Sequence, residues 1–141
     1  MAPGSSAYRS AGVKRNALTQ ALATSELLAQ SGGRAIDESR GEPAFVFTAG
    51  LLTLAFVLEG LGTKSVIARQ LEPELGGSGF AAVAYDTVAA IVNDLICVGA
   101  LPLVVNAYFA TGSSEWYRGE DRQAGLLEGW RQGCEDAGAT W

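Results

Sequence analysis

The fold is decided by Ala84–Gly112, AYDTVAAIVNDLICVGALPLVVNAYFATG, which reads as one buried helix, a sharp turn and one buried strand. Val88, Ile91, Val92, Leu95, Ile96 and Val98 make the helical part apolar around most of its circumference, so it should be largely buried. Asp86, Asn93 and Asp94 interrupt that surface. At seven residues apart, Asp86 and Asn93 lie about 20° from each other, with Asp94 roughly 80–100° further round. A carboxylate on a sheet-facing helix costs several kcal/mol unless it is paired. An internal Arg or Lys, a helix N-terminus and a metal ion are all open as partners. The strand, Leu101 to Phe109, carries Asn106 and runs into Ala110-Thr111-Gly112.

Outward from this core, Ala44–Leu58 (AFVFTAGLLTLAFVL) carries no charge. It is shorter than the ~20 residues a membrane span needs. Two short strands meeting near Ala49-Gly50 fit its β-branched and aromatic content better, so no membrane segment is expected. The second strand leads into Glu59-Gly60-Leu61-Gly62-Thr63-Lys64. Gly60 and Gly62 allow a tight turn and close approach of a ligand to the backbone. Thr63 is the expected N-cap of a helix from Lys64 to Leu71, whose free N–H groups favour an anion. The spacing is not that of a Walker loop. Glu59 and Asp94 are two hard oxygen donors suited to Mg²⁺ on ATP phosphates. The competing reading has Glu59 solvated at a turn and Asp94 paired with Lys64.

Pro73 in the glycine-rich loop Glu72–Gly79 is expected to stop the first helix. Ser113 to Asp121 is polar and exposed, with Trp116 and Tyr117 as loop anchors. Asp121–Asp136 is an amphipathic helix with Leu126, Leu127 and Trp130 inward, ending before Ala137-Gly138. Near the N-terminus, Asn16–Gln30 carries a leucine stripe and reads as a helix ended by Ser31-Gly32-Gly33. Ser31–Glu42 follows as a polar loop. The organisation expected is a tail, helix and loop over 1–43 and a domain over 44–141.

Composition narrows the chemistry. The 141 residues are 18% charged and 48% hydrophobic with 18 glycines, which excludes a disordered chain. A net charge of −5 argues against an extended nucleic-acid surface. There is no His, which removes imidazole general-base chemistry and most zinc sites. Cys97 and Cys134 read as small core residues in a reducing compartment. Met1–Ser6 has no signal-peptide layout, so a cytoplasmic setting is expected.

Three of these segments also carry a family resemblance. YDTVAAIVNDLICVGALPLVVNAYFATG resembles the central signature of aminoimidazole ribonucleotide synthetase, the phosphoribosylformylglycinamidine cyclo-ligase family. There, Val-Asn-Asp-Leu leads through Gly-Ala-x-Pro to Tyr-Phe-Ala-Thr-Gly. LEGLGTK (Leu58–Lys64) looks like its Asp-Gly-Val-Gly-Thr-Lys, with Glu for Asp. GLLEGWRQGCEDAGA (Gly125–Ala139) is similar to its Gly-Ile-Ala-Glu-Gly-Cys helix, and YRSAGV (Tyr8–Val13) to its opening Tyr-Lys-x-Ala-Gly-Val.

The resemblance implies an α/β (α+β) domain of ferredoxin-like order β-β-α-α-β-α, lacking its closing strand. Its sheet would contain Phe45–Phe47, Leu51–Leu58 and Leu103–Phe109, crossed by the Asp86–Val98 helix. It places a further strand and a second α/β domain after the point matched by Trp141, so the chain corresponds to the N-terminal part, not expected to be active in isolation. The reaction implied is ATP-driven closure of formylglycinamidine ribonucleotide to aminoimidazole ribonucleotide, giving ADP and phosphate. It implies metal (Mg²⁺) at Glu59 and Asp94, phosphate contacts from Gly60, Gly62, Thr63 and Lys64, and polar nucleotide or substrate contacts from Asp86 and Asn93. It implies no particular catalytic residue, and a homodimer formed through the sheet. The alternatives are a non-catalytic dimerising remnant or another member of the superfamily, such as a selenophosphate synthetase-like or formylglycinamidine synthase-like protein.

Overall fold

A computed structural model of the chain describes residues 33–118 and 120–141. The expected Asn16–Gln30 helix and the Tyr8–Val13 match lie outside them. The described residues form a mixed α/β arrangement with a three-stranded antiparallel sheet and three α-helices. In chain order these are β1 (Gly33–Ala35), β2 (Phe45–Ala49), β3 (Leu52–Phe56), α1 (Gly62–Leu75), α2 (Phe80–Cys97) and α3 (Glu120–Ala137). The chain separates into two compact units. Of the described residues, 33–37 and 47–54 belong to one, and 38–46 with 55–118 and 120–141 to the other.

The sheet has the order β1-β2-β3. Its β2–β3 hairpin is the two-strand reading of Ala44–Leu58, turning at Gly50, where φ is +62° and a side chain would be strained. β1 is a correction to the polar-loop reading of Ser31–Glu42. Gly33, Arg34 and Ala35 pair with Ala49, Thr48 and Phe47, and the Thr48 hydroxyl donates to the Arg34 carbonyl at 3.4 Å. Period-2 patterning cannot be read in three residues, so the strand was invisible until its partner was known.

α2 is longer than expected because the apolar run begins at Phe80. Its buried residues Phe80, Ala84, Thr87, Val88, Ile91 and Leu95 recur at helical spacing. They form a stripe, not a fully buried cylinder: Tyr85, Ile96 and Cys97 are exposed. Cys97 is thus corrected from core to surface, while Cys134 is fully buried and desolvation pushes its thiol pKa up. The length and apolar character of Phe80–Cys97 are also those of a membrane-crossing helix. The helix ends in a left-handed glycine: Gly99 has φ +74° and donates to the Ile96 carbonyl at 2.9 Å, while Ala100 donates to Leu95 at 3.0 Å.

The partner of α2 is chiefly α3, and next α1, where a sheet was expected. Three glycines account for this. Gly125, Gly129 and Gly133, four residues apart on α3, let its backbone approach α2 at Ala81 and Val88. The remaining core is Leu126, Trp130, Cys134, Ala68 and Val105, with Ala44 also buried and Ala55 and Val57 packed at its margin.

Two helix-end expectations are also corrected. The N-cap of α1 is Leu61, without a side-chain hydrogen bond, and Thr63 lies inside the first turn. Pro73 lies within α1 instead of stopping it; the helix runs to Leu75 and ends at Gly76, φ +65°. Pro73 gives up its own N–H bond and crowds the carbonyl of Arg69 one turn back, and the helix ends two residues after it.

Leu101–Phe109 is extended but is not a ladder strand. Its one bridge is parallel, Val104 to Thr140, with Val105 donating to Thr140 at 2.8 Å and Thr140 donating to Leu103 at 2.9 Å. A buried strand needs a backbone neighbour on its hydrogen-bonding edge, and among the described residues only Thr140 supplies one. Leu101, Leu103, Val104 and Tyr108 are correspondingly exposed.

Candidate functional site

A groove of about 760 Å³ opens within the larger unit. One wall is the turn Leu58-Glu59-Gly60-Leu61 leading into α1, the other is Tyr108-Phe109-Ala110-Thr111-Gly112, and Trp116 closes one side. Helix α1 presents Gly62, Ser65, Val66 and Arg69 to it. These stand at i, i+3, i+4 and i+7, within an arc of about 100° on one side of the helix. Thr63 and Lys64 are about 100° and 200° away from Gly62 by the same geometry, and neither lines the groove.

The aromatic wall is held by specific contacts. The Tyr117 hydroxyl donates to the Phe109 carbonyl at 3.0 Å, and the Phe109 ring meets Trp130 edge to face at 5.7 Å. Trp116 packs edge to face on Phe80 (5.1 Å) and on Tyr117 (5.2 Å), with the Arg122 guanidinium 6.0 Å from its ring centre. Arg122 is fixed in turn by Glu72, which accepts two hydrogen bonds of 2.7 Å. That pairing holds the Glu72 carboxyl below its usual range and raises the Arg122 pKa. Trp116 and Tyr117 are the anchors read from the sequence, and the loop they anchor is a groove wall.

Residues 41–141 match the family described as AIR synthase related protein, N-terminal domain. The chain belongs to that family. Curated relatives named phosphoribosylformylglycinamidine cyclo-ligase include one from Caldanaerobacter subterraneus subsp. tengcongensis, 39% identical over 82 residues. That match covers 58% of this chain and 21% of the relative. The Methanobrevibacter smithii protein is 29% identical over 113 residues, 80% of this chain and 32% of its own length. The Thermococcus kodakarensis protein is 34% identical over 95 residues, 67% and 27% respectively. The chain therefore spans between a fifth and a third of the relatives it matches. No solved structure matches it.

Of the residues expected at an AIR synthase site, the groove gathers Glu59, Gly60 and Gly62. Lys64 instead donates to Asp86, an exposed ion pair between α1 and α2. Asn93 lines a separate crevice of about 190 Å³ with Tyr85, Ala89, Val92, Gly133, Asp136 and Ala137. There Asp136 accepts from Tyr85 at 3.0 Å and from Gln132 at 3.2 Å, and the first bond raises the Tyr85 pKa. Asp94 is half-buried on α2 and lines neither cavity.

Among the described residues, no three His, Cys, Asp or Glu side chains gather into a metal-binding group. A single carboxylate, Glu59, fits Mg²⁺ that takes its other oxygens from phosphates and water; it does not make a protein-built metal cage. Sequence reading missed Arg69 and Tyr108 in the groove. Arg69 was legible in principle, because it lies seven residues, two helical turns, after Gly62.

Proposed function

We propose that this domain is the nucleotide-binding N-terminal part of an ATP-dependent phosphoribosylformylglycinamidine cyclo-ligase. One observation carries the reading. The Glu59–Gly62 turn and the Tyr108–Gly112 segment, about fifty residues apart and both parts of the family-like motifs, face each other across one groove.

The residues suit a phosphate chain. Gly60 has open space where a Cβ would be, so a phosphate can approach its backbone. The first N–H groups of α1 have no side-chain cap, leaving them to donate to an anion. Glu59 is placed to receive phosphate-borne Mg²⁺, with Asp94 proposed as a second acid in the assembled enzyme. Phe109 and Trp116, both half-buried, give the groove an apolar side beside its polar turn. ATP supplies the phosphoryl group that turns the formyl oxygen of formylglycinamidine ribonucleotide into a leaving group as the amidine nitrogen closes the ring. The products are ADP, phosphate and aminoimidazole ribonucleotide. This domain's own share is binding and orientation.

The finer architecture belongs to the same proposal. The extended Leu101–Phe109 segment supplies the third strand of a ferredoxin-like sheet once its edge is paired. Phe45 and Phe56, both in the larger unit, are each more than half exposed, apolar surface that suits a homodimer. The free, exposed Cys97 suits a reducing cytoplasm.

Calorimetric titration with Mg·ATP, run beside sedimentation equilibrium, tests the reading. The wild-type chain is expected to bind ATP and to sediment as a dimer at tens of micromolar, a typical range for weak pairs. Gly60→Val should keep the melting temperature while weakening ATP by about tenfold or more, because its side chain meets only groove space. Equal ATP binding by both proteins would remove the groove from the account.

A further inference from the structure

Building on the nucleotide reading of the groove, we propose that Arg69, and not Lys64, is the side chain that holds the phosphate chain there. The two cations differ in placement and in what already holds them. Lys64 lies on the side of α1 turned from the groove and is neutralised by Asp86. Arg69 lies on the groove side, in line with Gly62, Ser65 and Val66. It is exposed, and among the described residues it has no ion pair.

The carboxylate it acts on through space, Glu72, is committed to Arg122 by two hydrogen bonds along one edge of the Arg122 guanidinium. That prior pairing leaves the Arg69 donors available to a ligand. Glu59, the other charged residue lining the groove, makes no ion pair with Arg69.

The groove therefore has a division of labour along α1. Uncapped backbone N–H groups lie at the Gly62 end, and the backbone of Arg69 lies two turns on, about 10 Å along the axis at 1.5 Å per residue, with a long side chain that leans back toward the N-terminus. A guanidinium binds phosphate oxygens in bidentate fashion, so the two donor sets can act on one phosphate chain. Adenosine alone offers nothing to this cation.

The test compares three probes, ATP, inorganic tripolyphosphate and adenosine, on the full chain by calorimetry. The proteins are wild type, Arg69→Gln, Arg69→Lys and Lys64→Gln, with matching far-UV spectra confirming the fold of each. Arg69→Gln is expected to weaken ATP and tripolyphosphate by about tenfold and leave adenosine unchanged. Arg69→Lys should recover part of the loss, and Lys64→Gln should stay within about twofold of wild type. If ATP still binds and Arg69→Gln matches wild type, or Lys64→Gln shows the larger loss, the Arg69 assignment is overturned while the nucleotide site stands. If wild type binds neither ATP nor tripolyphosphate, both are overturned.

Discussion

Gly129→Ala will be the most damaging single methyl group in this domain, costing at least about 3 kcal/mol or preventing folding. A Cβ at this position would lie 1.9 Å from the Ala81 carbonyl oxygen, 2.7 Å from its carbon and 2.9 Å from the Ala81 Cα. All three are backbone atoms of α2, so no rotamer change relieves the clash. The substitution does gain about 1 kcal/mol of helix propensity, and overpacking against backbone exceeds that gain. Gly133→Ala meets the buried Val88 side chain at 2.9 Å and should cost less, about 1–2 kcal/mol. Gly125→Ala meets Ser78 and the Ala81 nitrogen at 3.1 and 3.2 Å and should fall within about 1 kcal/mol of wild type. Urea unfolding of the three variants should give that order. A Gly129→Ala protein as stable as wild type would mean that α2 and α3 do not pack by this glycine stripe.

The second large effect is loss of the Glu72–Arg122 pair. Both hydrogen bonds are 2.7 Å, and the two side chains are only 18% and 25% exposed, so this pair is much less screened than a surface bridge. Arg122→Met would strand the Glu72 carboxylate and remove the cation beside Trp116, at a cost of about 2 kcal/mol near neutral pH. The acid dependence follows from the direction of the shift. Arg122 lowers the folded-state pKa of Glu72 from its usual 4.5, so its contribution is complete above that value and is lost as pH falls through the lowered one. Arg122 stays protonated throughout and adds no slope. The stability gap between wild type and Arg122→Met should therefore be flat from about pH 6 to 8 and close below about pH 4.5. A gap that persists unchanged into acid would assign the loss to packing alone.

What could be read from the residues was whatever local chemistry decides by itself. The charge-free Ala44–Leu58 run gave a hairpin because strand-forming residues flank a glycine that must turn. The Glu120–Ala137 helix was equally legible, since Leu126 and Trp130 carry the apolar spacing, whereas Leu127, read as inward, is 53% exposed. Leu101–Phe109 has the composition of a buried strand, yet composition does not supply a hydrogen-bonding neighbour, and only Thr140 bridges to it. Pro73 was overvalued as a helix stop by two residues: it lies inside the last turn, and the helix ends at Leu75 before Gly76.

At the site, the two motif segments were recognised singly, and their meeting in one groove is a property of the fold. The choice between Lys64 and Arg69 depended on which side of α1 faces the groove. Helical periodicity holds that information, but it cannot be used until one lining residue is known. Asp86 and Asn93 sit close on a helical wheel, yet the first pairs with Lys64 and the second lines the smaller crevice.

The central claim, that the Glu59–Gly62 turn and the Tyr108–Gly112 segment form one nucleotide site, is tested most directly by following backbone amide resonances of the chain as Mg·ATP is added. The account predicts saturable shifts at Gly60, Gly62, Ser65, Thr111 and Gly112, all following one binding curve, while Asn93 and Asp136 in the smaller crevice stay in place. Shifts confined to that crevice, or none at saturating ATP, would contradict it.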